Sequence, residues 1–511
     1  MDGETRTDVL VVGAGPTGLT AALTLQRCGV AGVVVDGKAG PTRESRALAV
    51  QARTMEVYDQ LGIIDEVRAQ VTLADAIVPG YGRRAFRPVV LTGLGRHLTP
   101  FPRLYVLEQS RNEAILSQAL ERSGHPVAWG TALLGLEITD DARFPVRATV
   151  TGAPGGPRTI RARWCVAADG ASSPVRESLG IPFAGTTNPF TYYVADAAGV
   201  SGVVGDRMNM RITRDDFLLT FPMGPGGRQR LLGVLPNGAA LGQEDRLQAE
   251  MRTRLSEAFG VRYSSVNWFS TYHVHHRLAD RFRKGPVLLA GDAAHVHSPV
   301  GAQGMNTGVQ DAHNLACKLA DVVLRGAPGT TLDDYEAERR PVAALLVRTT
   351  DRMFGAVTSS RPLPRFVRSR IVPHVAPLAP RLAPRLPGAP RIFGYLSQTR
   401  IRYRTLQGRS PVGRRLPWNG ENYDALRTLS WQVHAYDLAI AADADHVAAA
   451  LGLDARSFPR PGPNGLQPGR LYLVRPDGFV AAAARPQAAL PLFRQRLPWL
   501  GRLIEVEQAP R

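Results

Sequence analysis

Residues 8–36 read DVLVVGAGPTGLTAALTLQRCGVAGVVVD, and this stretch decides the fold. Asp8 to Val12 is an apolar run of strand length. Gly13, Gly15 and Gly18 follow in the order G-x-G-x-x-G. A helical pattern then runs through Leu19, Ala22, Leu23 and Gln26 and stops at Gly29. Val33 to Val35 is a second strand, and it ends at an acid, Asp36. Strand, glycine turn, helix, strand and acid in this spacing predict a dinucleotide-binding unit. The first two glycines permit a tight turn and a close approach of a pyrophosphate to backbone. The third lets helix pack on strand. Asp36 stands near the offset of an acid that accepts from a ribose hydroxyl.

The rest of the composition fits a globular enzyme. The chain has 511 residues, 44% of them hydrophobic and 21% charged, enough for two or three domains. Net charge is +18, carried almost wholly by arginine, since Lys38, Lys284 and Lys318 are the only lysines. Such charge attracts anions. No nucleic-acid motif or basic aromatic groove accompanies it, so no nucleic-acid partner is expected. The N-terminus lacks an apolar signal core. No run approaches the ~18 apolar residues of a membrane helix. No membrane insertion and a cytoplasmic location are therefore expected. Cys28, Cys165 and Cys317 each fall singly in an apolar pattern and read as buried small hydrophobes, with no metal set. His295 and His297 are two apart, with no third ligand following, and read as structural.

A second stretch, GDAAHVHSPVGAQGMNTG, spans Gly291 to Gly308. It follows a strand at 287–290 and opens a helix whose Val309, Ala312, Leu315, Ala316, Leu319 and Val322 fall on one face. A glycine-rich loop before a helix start stabilises an anion. A third stretch, IRARWCVAADG, ends a strand at Asp169-Gly170, at the edge where doubly wound sheets bind ligands. Between residues 180 and 268 short alternating segments are separated by turn residues, which predicts an antiparallel sheet. Residues 71–99 should add a strand pair to it.

These motifs resemble those of the FAD-dependent class A aromatic hydroxylases, in particular the aromatic polyketide type with a thioredoxin-like C-terminal domain. The resemblance implies an α/β fold. A Rossmann-like, para-hydroxybenzoate hydroxylase-like FAD-binding domain would comprise residues 1–70, 100–179 and 269–405. A substrate-binding β-sheet domain would comprise 71–99 and 180–268, and a thioredoxin-like domain 406–511. That tail contains no cysteine, so a dithiol role is excluded for it.

The resemblance also assigns residues. Non-covalent FAD would meet Gly13, Gly15, Gly18, Asp36, Arg46, Gln109, Asp169 and Asp292. Backbone N–H groups of Gly304, Met305 and Asn306 would face the pyrimidine end of the flavin, and Pro299 would lie beside the carbon where oxygen adds. No side-chain acid or base is assigned. Met208, Met210, Phe217, Leu219, Phe221 and Met223 are candidate liners of a pocket for a small aromatic substrate. NADPH or NADH would serve as transient co-substrate with molecular oxygen, and a flavin hydroperoxide would hydroxylate a phenolic or polyketide-derived polycyclic ring, as in antibiotic biosynthesis. Arg176 and Arg53 read either as site residues or as helix-surface charges. Residues 361–391, with seven arginines and no acid, read as a packed linker. The flavin motifs are shared with Baeyer-Villiger, epoxidising and redox-neutral enzymes and with non-catalytic FAD-binding proteins, so these alternatives stay open here. A homodimer is also left open.

Overall fold

The computed structural model describes residues 4–43, 47–152, 156–224, 226–235, 244–297, 303–358, 362–378, 389–406, 408, 410–461 and 465–500. At its centre lies an eight-stranded sheet. Strand Thr5–Val12 pairs in parallel with Arg158–Ala167 on one side and Gly32–Asp36 on the other. Strand Arg158–Ala167 carries two neighbours on its far edge. Its first half pairs antiparallel with Val146–Val150, and its end pairs in parallel with Val287–Leu289. Val9 to Val12, Val34, Val35, Val166 and Leu288 are all buried, as near-continuous apolar strands covered on both faces must be.

Helix Pro16–Arg27 crosses from the first strand to the second. Helix Gly304–Leu324 packs beside it. The six apolar residues expected on one face of that helix are buried, but so are Gln310, Asp311, His313, Asn314, Lys318 and Asp321. A one-sided pattern was the wrong picture. The helix is enclosed on nearly every side, and its polar side chains survive burial because each finds a partner. Cys28 and Cys317 also depart from expectation. Both are free thiols that lie close together, and their interaction lowers the Cys28 pKa and, together with burial, raises that of Cys317.

The second sheet has nine strands. Two long ones, Phe183–Ala198 and Ser265–Ala279, pair antiparallel. Gln229–Leu235, Phe217–Pro222 and Met208–Ile212 follow as a meander. Ala76–Tyr81 then joins in parallel with Met208–Ile212, so the sheet is mixed and not purely antiparallel. That strand arrives from a distant part of the chain, so no hairpin dictates its direction. The strand Ser265–Ala279 continues the sheet as far as Arg277 and Leu278, which pair with Val296 and His295. The two sheets are thus stitched together beside the second glycine-rich stretch.

A four-stranded sheet closes the chain, in the order Asp454–Ser457, Gln432–Ala435, Leu471–Val474, Val480–Ala484. Helices Ala441–Ala449 and Pro486–Arg496 accompany it, around Val433, Val447, Leu471, Leu473 and Phe493. The predicted hairpin forms, and its tip at Pro476 to Gly478 reaches back into the first unit. Arg53 Nη2 donates to Asp477 O at 2.7 Å, and Asn314 Nδ2 to the Asp477 carboxylate at 2.9 Å. Residues 362–378 are helical and lean on the 213–216 loop, through Arg365 to Asp215 and Arg368 to the Arg214 carbonyl. Leu363, Phe366 and Val375 stay exposed on this segment, so it is less packed than expected.

Candidate flavin site

The three glycines of the first motif divide their work by packing. Gly13 holds φ +100°, and a Cβ there would stand 2.3 Å from Ala168 O. A Cβ on Gly18 would stand 1.8 Å from Gly13 O. Both are therefore fixed by protein contacts. At Gly15 nothing of the protein lies within 4 Å of a Cβ; the space there is left for a ligand. Helix Pro16–Arg27 begins at this point without a side-chain cap, so its first N–H groups face that space.

Asp36 ends its strand as expected. Its carboxylate accepts from Ala14 N at 2.6 Å and from Lys38 N at 2.8 Å, so it shapes the glycine turn. The next loop is held by a residue of helix Gln109–Arg122. Glu113, fully buried, accepts from Lys38 Nζ, Thr42 N and Gln109 Nε2 at 3.2, 2.7 and 2.9 Å. Gln109 Oε1 in turn accepts from Ala47 N at 3.3 Å. Arg46 lies outside the described residues, as does Pro299.

Asp169 follows the strand Arg158–Ala167, beside Gly13. One carboxylate oxygen accepts from Val175 N at 3.0 Å; the other is buried with no partner. Burial raises its pKa, against the nearby Ser173 hydroxyl and the Val175 N–H. An orphaned buried acceptor at the mouth of a glycine turn fits a ligand that brings hydroxyl or water donors. Arg176, which the sequence left open as a surface charge, is buried. It stacks on Phe183 with its guanidinium carbon 4.0 Å from the ring centroid and donates to Ala293 O at 3.1 Å. It so anchors the Gly291–Ala293 turn. Arg53 is likewise buried, bonded to Glu56 and Asp477.

Thr17, unmarked in the sequence, joins the first and second motifs. A Cβ on Gly291, which holds φ +61°, would stand 2.5 Å from Thr17 Oγ1, and one on Gly308 would stand 2.3 Å from it. The two glycines therefore let both helix starts crowd around one threonine. Asp292 is exposed on this turn. Replacing it by alanine is expected to weaken FAD by about 1–3 kcal/mol, the loss of a charge-assisted hydrogen bond that the cofactor buries. Titration of apoprotein with FAD measures this, and an unchanged Kd would remove Asp292 from the site.

The helix start is built from Gln303 onward. The Asn306 side chain is fully committed: Oδ1 accepts from Gln51 N at 2.8 Å and Thr54 Oγ1 at 2.7 Å, and Nδ2 donates to Ala49 O at 2.9 Å. Only its backbone remains for a flavin. Met305 Sδ accepts from Asn112 Nδ2 at 3.5 Å. Gly304 leaves room for the His297 ring, whose Nε2 would lie 3.6 Å from a Cβ there. His295 is structural, donating from Nε2 to Asp311 at 2.7 Å. Among the described residues no group of His, Cys, Asp and Glu could hold a metal.

Of the six pocket candidates, Phe217, Leu219, Phe221 and Met223 are buried in one cluster with Tyr192, Leu232 and Val234, and Met208 packs against it. Leu48 and Ala49, next to the flavin helix's Asn306 clamp, belong to the same cluster. Met210 lies outside the cluster and is 44% exposed.

An uncapped helix start at a glycine turn, an orphaned carboxylate beside it and a second glycine-rich helix start define a flavoprotein of the doubly wound class. A family model described as FAD binding domain matches residues 6–350, and the chain belongs to that family. Among its relatives, the 12-dehydrotetracycline 5-monooxygenase/anhydrotetracycline 6-monooxygenase of Streptomyces rimosus is 31% identical, over 97% of this chain and 99% of that protein. The 6-methylpretetramide 4-monooxygenase of Streptomyces rimosus is 36% identical over 67% of this chain and 60% of that protein. The solved structure of OxyS anhydrotetracycline hydroxylase from Streptomyces rimosus superimposes with a TM-score of 0.75 at 29% identity, covering 96% of this chain and 98% of that one. Aklavinone-11 hydroxylase, solved with FAD and aklavinone, gives 0.75 at 26% identity, with coverage of 96% and 98%. The protein is an FAD-dependent monooxygenase of the aromatic hydroxylase type, using NAD(P)H and oxygen. No helix among the described residues is long and apolar enough to cross a membrane.

Proposed function

We propose that this chain hydroxylates a polycyclic, polyketide-derived phenol held between the apolar face of the nine-stranded sheet and the flavin cradle. One observation carries the reading: three motifs far apart in sequence meet, through Gly13 against Ala168 and Thr17 against Gly291 and Gly308. When bound and reduced by NAD(P)H, FAD supplies the activation of oxygen for transfer to an electron-rich ring. The protein's residues bind, orient and exclude water. Gly15 and the Pro16 helix start take the pyrophosphate, Asp36 a ribose hydroxyl, and the free Asp169 oxygen a hydroxyl or bound water. N–H groups at Gly304 to Asn306 favour negative charge at the pyrimidine end. Phe217, Leu219, Phe221 and Met223 present the dry wall against which an aromatic substrate packs, Met208 lies at its edge, and Met210 meets solvent. Pro299 is assigned beside the reacting carbon by the resemblance alone.

We read the nine-stranded sheet as the substrate unit and the four-stranded sheet as a thioredoxin-like unit with a docking role, since its strand order and flanking helices suit that fold and it lacks cysteine. The test is turnover with a panel of polycyclic phenols. Substrate-dependent NAD(P)H consumption with a product heavier by one oxygen atom is expected. NAD(P)H consumption with no oxygenated product from any phenol of the panel would overturn the substrate assignment.

A further inference from the structure

The second glycine-rich stretch has two working parts, the turn at Gly291–His297 and the helix start at Gly304. Residues 298–302 separate them in sequence. Inside the protein they are tied by one carboxylate. Asp311, fully buried two turns into the helix, accepts from Gly291 N at 3.3 Å and His295 Nε2 at 2.7 Å through one oxygen. Its other oxygen accepts from Arg339 Nε at 2.6 Å. Arg339, also fully buried, donates from Nη2 to Thr307 O at 3.3 Å and from Nη1 to Tyr403 Oη at 3.3 Å. Thr307 lies in the first turn of the same helix. The turn, the helix start and the helix Asp333–Thr358 thus share a single ionised centre.

We propose that Asp311 is a positioning residue for the flavin, acting through His295 and Gly291 on the turn and through Arg339 on the helix start, so that both halves of the cradle keep one register. Neither half is braced otherwise against the other by an ion pair among the described residues. Burial works against the charge on Asp311, but Arg339 and His295 outweigh it and hold the carboxyl below its ordinary range. A neutral amide there could keep either the two donors of the turn or Arg339, but not all three, because it has one acceptor oxygen. The consequence is a cradle that still forms a helix and a turn but no longer holds them at a fixed separation. Sub-ångström misplacement of groups around a cofactor is enough to weaken it.

The inference rests on FAD occupying this cradle, and FAD uptake by the unsubstituted protein is the control that separates the two readings. Apoprotein variants are titrated with FAD, with flavin fluorescence and the visible band of bound flavin as readouts, and the apoprotein melting midpoint is recorded in parallel. Asp311→Asn is expected to raise the FAD Kd roughly tenfold to a hundredfold and to alter the band. The double variant Asp311→Asn, Arg339→Met removes the unbalanced guanidinium. It should regain apoprotein stability yet keep the weak Kd. Should it recover the original Kd, Asp311 serves only to neutralise Arg339 and the proposal fails. His295→Leu decides the matter if Asp311→Asn does not fold. It cuts the shorter of the two ties to the turn, leaving the Gly291 N–H bond and the Asp311–Arg339 pair, so FAD should bind more weakly with little change in melting. His295→Gln, which restores a donor in nearly the same place, should rescue the affinity. An unchanged Kd and band in His295→Leu would overturn the proposal.

Discussion

Gly15→Val is expected to give a folded, colourless protein. Gly15 has φ −78° and ψ −179°, extended backbone in which a β-branched residue is at ease. No protein atom lies within 4 Å of the new Cβ, so stability should change by no more than about 0.5 kcal/mol. The two γ-carbons would instead occupy the approach to the uncapped helix start. FAD loses contact with those N–H groups, and its affinity should fall by at least about a hundredfold, close to 3 kcal/mol. Gly18→Ala supplies the contrast. Its Cβ would press on Gly13 O at 1.8 Å, so that variant should lose flavin by losing the turn itself. A yellow Gly15→Val protein with the original FAD Kd would falsify the placement of the pyrophosphate.

The second large effect lies away from the cofactor. Glu338 is buried, and its carboxylate accepts from Lys318 Nζ at 2.7 Å and from Arg475 at 2.6 and 3.1 Å. Asn314 Nδ2 and Thr405 Oγ1 add bonds at 2.9 and 3.2 Å. Glu338→Ala would leave Arg475 paired with Asp477, and Lys318 bonded only to the Asn314 amide oxygen. Stripping one partner from a buried ion network costs about 3–5 kcal/mol, read as a lower urea midpoint. Burial pushes the Glu338 pKa up, but Arg475 and Lys318 more than reverse it, so its net shift is downward. A lowered pKa in the folded state means the carboxylate's contribution is whole above the usual glutamate range and is lost only as pH falls through and below it. The variant should therefore differ most from the parent at neutral pH and converge with it in acid. Equal midpoints at neutral pH would show that the network contributes nothing net.

Much of the nucleotide fold was legible because its signals are local. A strand, a glycine turn and a helix start are each fixed by residues a few positions apart, and Asp36 needed only a spacing. The parts that stayed hidden are held by pairs distant in the chain. Thr17 gives no sign in sequence that Gly291 and Gly308 pack on it. Arg176 can be read as a helix-surface charge until the turn it holds is in place, and Glu113 gives no sign of the loop it holds. Cys28 and Cys317 are separated by the whole first unit, so nothing local could show that they meet. For the helix Gly304–Leu324, apolar periodicity revealed one buried stripe. It could not reveal that Lys318, Asn314 and Asp311 are buried too, because partners such as Glu338, Arg339 and Asp477 come from residues beyond 330. A clue was present: six polar side chains, Gln310, Asp311, His313, Asn314, Lys318 and Asp321, interleaved with the apolar stripe of one helix need partners wherever they are enclosed.

The reach of the hairpin tip into the flavin helix also sets a timetable for synthesis. Asn314 and Asp477 are 163 positions apart. At ribosomal speeds of about 5–20 residues per second, that gap takes roughly 8–33 s to translate. Throughout that interval the helix that closes on the cofactor exists without the residues that complete its buried charges. A nascent first unit can collapse, but Lys318 and Asn314 cannot yet be enclosed with their full set of partners. The enclosure of this helix is thus finished by residues made well after the helix itself.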